Sequence, residues 1–253
     1  MKELMDTPAQ QKFNILLIGD DCVDVYQYGN VDRISPEAPV PVFESVSQES
    51  RPGMAGNVLT NLKALGCTVN YLHGATSVKT RLIDLRSYQQ VLRIDNDCYS
   101  DALEIDSAIP NIYDAVVISD YNKGTVSYKL IQDLRRDFDG PIFVDTKKSM
   151  LGKLEGCIVK INSLEYSRVN SVCSDLIVTL GKDGARHGTT VYPAPNIEVA
   201  DVTGAGDTFL AALCVEYLHS NGDMAQAIKF AIRASSVTVQ HRGVYAPTLE
   251  EIL

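Results

Sequence analysis

The stretch Asp201–Phe209, DVTGAGDTF, sets two glycines and an alanine between two aspartates, just before the apolar run Leu210–Val215. A glycine-rich turn that opens a helix exposes unpaired backbone N–H groups at the positive end of the helix dipole. Gly204 and Gly206 let a ligand approach the backbone with no Cβ in the way. Asp207 then falls at or just inside the helix start. The residues alone leave two readings: an acid that caps its helix, or an acid that faces an anion pocket and takes a proton from an attacking hydroxyl. A second group, Asp120, Tyr121 and Lys123, follows the apolar run Ala115–Ile118. That is the carboxyl end of a predicted strand, where open α/β sheets bind ligands, and Lys123 is long enough to reach a phosphate there.

The elements that must position these residues are legible as short β-branched runs: Asn14–Ile18, Val69–Leu72, Ala115–Ile118, Ile142–Val144, Cys157–Ile161 and Leu176–Leu180. Between them lie stretches of helical period. Val58, Leu62 and Leu65 share one face, as do Leu130, Ile131, Leu134 and Phe138. Strand, helix, strand at this spacing predicts βαβ units and an α/β fold, a three-layer αβα sandwich around a mostly parallel sheet. Two segments break the rhythm: Tyr26–Ser50 holds Pro36, Pro39 and Pro41, and Arg81–Asp95 alternates like an antiparallel strand pair. They are expected to form a small β lid on a single domain spanning residues 1–253.

Composition narrows the partners. A chain of 253 residues with a net charge of −9 and interspersed charges shows no basic stripe, so no nucleic-acid partner is expected. No segment approaches the ~18 apolar residues of a membrane span. Met1–Lys12 is polar and lacks the apolar stretch of a secretory signal. The six cysteines show no C-x-x-C spacing and the four histidines are scattered singly, which predicts buried free thiols, no zinc site and a cytoplasmic protein.

DVTGAGDTF closely resembles the C-terminal signature of the ribokinase-like carbohydrate kinases. In order along the chain, GDDCVDVYQYG, RISPEAPVPV, RPGMAGNVLTNLKALG, QQVLRID, VVISDYNKG, IFVDTKK, INSLE and VTLGKDG extend the match. The N-terminal pieces resemble bacterial kinases of D-glycero-β-D-manno-heptose 7-phosphate. The resemblance implies a ribokinase-like fold and an ATP- and Mg²⁺-dependent transfer of the γ-phosphoryl group to a hydroxyl of a phosphorylated heptose. It assigns Asp207 as the base and the amides of Gly204, Ala205 and Gly206 as the anion hole. Asn162 and Glu165 would organise Mg²⁺ and phosphates, Glu165 through water, and Thr179, Gly181 and Gly184 would form the nucleotide loop. Taken singly, Glu165 would read as the start of a surface helix and the glycine loop as a plain β-turn. Asp24, Gly53 and Asn57 fall at acceptor-binding positions, where a carboxylate and an amide suit a polyol. The lid-like segments offer Arg33, Arg51, Arg81, Arg86 and Arg93 for the sugar phosphate; Arg33 and Arg51 are favoured by their motif context, with Lys123. Asp201 and Thr203 match positions that seat a monovalent cation such as K⁺. A homodimer through the lid is a further implication. A kinase for a different sugar, and a weakly catalytic binding relative, remain the competing readings.

Three departures from the pattern stand out. Met54 follows Gly53 where the pattern has a second glycine, and Gly56 stands where alanine is expected. Little lies between Gly74 and Arg81, where relatives carry a further helix and strand, and Glu165–Asp175 is also short. FAIRASSVTV, with Ile232 and Arg233, replaces a small-residue helix with an asparagine near the adenine. The nucleotidyltransferase domain fused to some such kinases has no room in 253 residues, so no second activity of that kind is expected.

Overall fold

A computed structural model describes residues 12–105 and 112–253. The N-terminal stretch read above as polar lies, apart from Lys12, outside them. The first elements are strands β1 (Asn14–Ile34) and β2 (Pro41–Met54), helix α1 (Ala55–Ala64), and strands β3 (Thr68–Asp84) and β4 (Gln90–Asn96). The middle of the chain adds β5 (Ala115–Asp120), α2 (Tyr128–Asp137), β6 (Ile142–Thr146), β7 (Ile158–Asn162) and α3 (Ser163–Tyr166). Strands β8 (Leu176–Thr179), β9 (Ala185–His187) and β10 (Thr190–Tyr192) precede helices α4 (Ala205–His219), α5 (Met224–Thr238) and α6 (Leu249–Ile252).

One sheet joins all ten strands in the order β10-β9-β8-β7-β6-β5-β1-β3-β4, with β2 on β1. Strands β8, β7, β6, β5, β1 and β3 are parallel neighbours, and antiparallel pairs flank them. The α/β expectation therefore holds, and every short apolar run seeds a strand. The strand β1 alternates Ile15 and Leu17 against Leu16 and Ile18, and all four are buried. The first pair packs with α1, α4 and α5, the second with α2. Both faces of the sheet are thus covered, as parallel strands require.

The strand β1 also generates the lid-like part. It pairs with β5 only through Gly19, then continues paired to β2 on one edge and β3 on the other. Instead of separate short strands, β3 is one continuous strand that follows β1 from Thr68 to Asp84. A register shift between Gly19 and Asp21 marks the point where β1 leaves β5. Direct continuation of β3 accounts for the short stretch between Gly74 and Arg81, noted above as a departure from the pattern. The result is a projecting four-stranded sheet, β2-β1-β3-β4, whose hairpin tip carries Pro36 and Pro39. Prolines at a tip and at the first residue of β2 sacrifice no ladder hydrogen bond.

Five cysteines are buried as expected, but Cys98, in the loop after β4, is exposed. Burial pushes the Cys67 thiol up to about 12 and the Cys22 thiol up to about 11, so both stay protonated and inert. Among the described residues no helix is long and apolar enough to cross a membrane.

Candidate active site

Helix α4 starts from Gly204, which sits in the left-handed region at φ 80°, and no side chain caps it. Asp207 instead turns inward. Its Oδ2 accepts a hydrogen bond from Asn57 Nδ2 at 2.8 Å, and its Oδ1 accepts one from the Tyr121 hydroxyl at 3.1 Å. Asn57 lies in the first turn of α1, where Asn61 Nδ2 donates to its carbonyl oxygen at 2.9 Å. Three distant segments thus converge on one carboxylate. Burial pushes the Asp207 carboxyl up to about 6, the Asn57 donor pulls it back, Asp145 raises it, and Lys160 and Tyr121 lower it. An acid at that value is largely ionised at neutral pH yet basic enough to accept a proton. Of the three amides at the turn, Ala205 N–H is engaged by Val202 O at 3.3 Å.

Beside Gly206 lies a polar cavity of about 100 Å³, lined by Tyr121, Asp145, Lys147, Lys160, Asn162 and Glu165, with Asp120 at its edge. Lys160 Nζ donates to Asp145 Oδ2 at 2.6 Å and to Gly206 O at 3.3 Å. Burial alone would lower the Lys160 ammonium, but the attraction of Asp145 outweighs it and the group is held charged. Asn162 and Glu165 form a reciprocal capping box on the short helix α3, each side chain bonding the other's amide at 2.8 Å. The remaining Glu165 oxygen accepts from Lys147 Nζ at 2.9 Å. The plain reading of Glu165 as a helix-start residue is therefore true of its backbone contact, while its second oxygen faces the cavity lysine. No cluster of three or more metal-ligating side chains exists among the described residues. Asp145, Asn162 and Glu165 around a small polar cavity fit Mg²⁺ held largely by water and phosphate oxygens, the mode this ion prefers.

On the other side of Ala205 and Gly206 opens a mainly apolar pocket of about 500 Å³. Thr179, Gly181, Gly184 and Ile232 line it. Gly184 is required there: its φ is 94°, and a Cβ would meet Tyr192 O at 2.0 Å. Arg233, one residue on, is exposed and stacks over the Phe230 ring, so it does not enter the pocket.

The register of the projecting sheet sorts the remaining residues. Arg51, Asp24, Lys79 and Asp95 are cross-strand neighbours in one row, and Glu49, Tyr26, Arg81 and Arg93 in the next row on the same face. Arg81 Nη2 pairs with Asp24 Oδ1 at 2.9 Å. Gly53 lies against that carboxylate, since a Cβ there would come 2.3 Å from Asp24 Oδ2. Lys79 Nζ lies 5.7 Å from the centroid of the Tyr121 ring, which links this face to Asp207. Arg51 reaches instead to Arg242 and Val244, and Lys123 pairs with Asp97. Arg33 pairs with Glu44 near the exposed tip, at 3.4 Å, and is not gathered with the others. Met54 adopts φ 50°, ψ −130° at the start of α1, which confirms that this backbone needs positive φ. A non-glycine residue there carries roughly 1–3 kcal/mol of strain. Gly56 has its own reason: a Cβ would come 2.9 Å from Asp21 Oδ1. Asp201 and Thr203 meet, with Thr203 donating its amide and hydroxyl to Asp201 Oδ1 at 2.9 and 2.7 Å.

Sequence reasoning missed Asp145, Lys147 and Lys160 and underweighted Arg81. One signal was present: Lys160 is a lone charge in the apolar run Cys157–Ile161, two residues before Asn162 and on the same strand face.

The polar cavity and the apolar pocket meet at the glycine turn of a three-layer sandwich, and solved structures of ribokinases share this fold. A ribokinase from Thermotoga maritima superposes with a TM-score of 0.72 at 15% identity, covering 95% of this chain and 98% of that one. A ribokinase from Arabidopsis thaliana complexed with ribose and ATP does so at 0.70 and 14%, covering 96% and 98%. The pattern of the pfkB family carbohydrate kinases matches residues 163–252. The bifunctional protein HldE of Aliarcobacter butzleri is 31% identical over 307 aligned residues, covering 96% of this chain. Residues 163–252 thus carry the pattern of the pfkB family of carbohydrate kinases, and nearly the whole chain is similar to HldE. It spans 64% of the length of that HldE protein, and an alignment longer than the chain itself means that the relative carries insertions this chain lacks.

Proposed function

We propose that the chain is an ATP-dependent sugar kinase whose acceptor is a phosphorylated heptose. The observation that carries the reading is Asp207, buried and raised to about 6: it follows Gly206, which lines both the apolar pocket and the polar cavity, and it bonds Tyr121, which lies beside Lys79 on the charged face of the projecting sheet. The apolar pocket suits a purine, with Thr179, Gly181 and Gly184 beneath the nucleotide. Its phosphates would then run past Ala205 and Gly206 toward Lys147 and Lys160. Mg²⁺, held by water in contact with Glu165, Asn162 and Asp145, would supply charge neutralisation for those phosphates. The acceptor hydroxyl gives its proton to Asp207 as its oxygen bonds to the γ-phosphorus, and the bond from that phosphorus to the departing ADP oxygen breaks. Alignment and electrostatics do most of the work in such a transfer. Asn57 and Tyr121 hold the carboxylate in place, and the amides of Gly204 and Gly206 with the Lys160 charge stabilise the moving phosphoryl group.

On this reading the inner face of the projecting sheet, a lid, receives the sugar phosphate. Asp24 and Asn57 meet hydroxyls, and Lys79 and Arg81 meet the phosphate, a role taken over from Arg33. The buried Tyr26 hydroxyl and Arg81 Nε have no partner among the described residues, and an unmade buried hydrogen bond costs about 1–3 kcal/mol. A polyol phosphate would satisfy both. The exposed Leu92 and Ile94, on the opposite face from Arg93, support pairing of two lids in a homodimer.

Turnover of ATP with a panel of sugars and sugar phosphates, wild type against Asp207→Asn, tests the reading. Heptose 7-phosphate is expected to give ADP release that Asp207→Asn abolishes. Turnover with another sugar only would overturn the heptose assignment, and ligand binding without any turnover would overturn the kinase itself.

A further inference from the structure

Arg51 lies on β2, yet its side chain is spent on the segment after α5. Its Nη1 donates to the carbonyl oxygens of Arg242 and Val244, each at 3.3 Å. Glu49 Oε1 holds its Nη2 at 2.9 Å, and its guanidinium carbon lies 5.4 Å from the Tyr26 ring centroid. Between the two carbonyls sits Gly243, at φ 71°. A Cβ on Gly243 would come 2.7 Å from Arg51 Nη1, so the glycine is what admits the guanidinium. The same glycine donates its N–H to Asp201 Oδ2 at 2.9 Å. Val244 then buttresses the turn directly, since a Cβ on Gly204 would come 3.3 Å from its Cγ1. A continuous chain of contacts therefore runs from Arg51 through residues 242–244 to Asp201, Thr203 and Gly204.

A monovalent cation beside Asp201 would need several oxygens converging without donors among them. Here the carbonyls of Arg242 and Val244, on either side of the Gly243 that bonds Asp201, already accept from a guanidinium, and Asp201 accepts three hydrogen bonds from Thr203 and Gly243. Burial opposes ionisation of Asp201, but those three donors outweigh it and hold the carboxyl below its ordinary value. The donor set does not fit an alkali ion.

We propose that the Arg51 guanidinium takes the place of a monovalent cation, a built-in positive group that orders residues 242–244 and through them the glycine turn. Arg51 is a positioning residue on this view, and the protein works independently of K⁺. The kinetic part rests on the kinase reading above; the melting part does not.

The test exchanges K⁺ for tetramethylammonium at constant ionic strength, with melting temperature and turnover of the accepted sugar as readouts. Wild type is expected to show the same melting temperature and kcat in both salts. Arg51→Ala should lose kcat on the order of 10²-fold, the cost of about 1 Å of misplacement. It should regain both melting temperature and kcat in K⁺ or in millimolar guanidinium, because the vacated carbonyls can then bind an added cation. Arg51→Lys, which keeps one ammonium, should remain insensitive to the salt. Stabilisation or activation of wild type by K⁺ would overturn the proposal, and so would an Arg51→Ala protein that neither ion rescues. If Arg51→Ala does not fold, wild type and Arg51→Lys decide the matter: a K⁺ response in either refutes it. If no sugar is turned over, the melting readout stands alone and separates failure of the proposal from failure of the kinase reading.

Discussion

Replacing Asp207 by asparagine is expected to make the protein more stable at neutral pH while it abolishes turnover. The folded environment raises the carboxyl from 3.8 to about 6, chiefly by burial. Each pKa unit corresponds to 1.36 kcal/mol, so keeping Asp207 ionised costs the fold about 3 kcal/mol. The sign follows from proton binding. Between about pH 4 and pH 6 the folded state holds the proton and the unfolded chain has lost it, so stability falls as pH rises and is level above that window. Asparagine never ionises and avoids the cost. Asn57 and Tyr121 donate to different carboxylate oxygens, and an amide keeps an oxygen at only one of those two positions, which forfeits about 1 kcal/mol. The net gain is about 2 kcal/mol at neutral pH. Below about pH 4, where wild type is protonated, the gain disappears. Urea unfolding of both proteins near pH 7.5 and near pH 4 measures the difference as a shift in midpoint at constant slope. A variant no more stable than wild type at the higher pH would refute the reasoning, because the carboxylate would then not be paying a desolvation penalty.

Two further outcomes follow from the same geometry. Asn57→Ala removes the 2.8 Å donor that lowers the Asp207 carboxyl. A hydrogen bond to a charged group contributes about 1.5–3 kcal/mol, so the acid limb of kcat/KM should move up by about one to two pH units, read from a pH–rate profile; an unmoved limb would remove Asp207 as the titrating base. Lys160→Met leaves Asp145 buried without its 2.6 Å partner and should destabilise the protein by about 3–5 kcal/mol, measured by urea melt, with turnover lost as well.

How much was legible beforehand differs by element. The strands and helices of the sandwich could be read because each buries an apolar face, and burial leaves a period in the chain: two for a strand, 3.6 for a helix. Leu130, Ile131, Leu134 and Phe138 announce α2 in that way, and all four are buried. The glycine turn could also be read, since a left-handed backbone and an uncapped helix start demand glycine and leave a local mark. The positive φ of Met54 was legible as a conflict, because the pattern put glycine there. The length of β3 was not: Thr68–Asp84 is one strand because β1 offers it a parallel edge throughout, and pairing is a property of two segments.

The chain by itself determined the α/β layering and put Asp207 just inside a glycine-rich helix start, as a cap or as a base, since periodicity and turn chemistry act within a few neighbouring residues. Only the tertiary structure decided that Asp207 faces Asn57 and Tyr121 rather than capping α4. It also decided that Lys160 meets Asp145, that Arg81 rather than Arg33 meets Asp24, and that Arg51 turns to Arg242 and Val244. The reason is physical. A charged side chain taken out of water must find a partner, and that partner is chosen by proximity in space, across 191 positions of chain between Arg51 and Arg242.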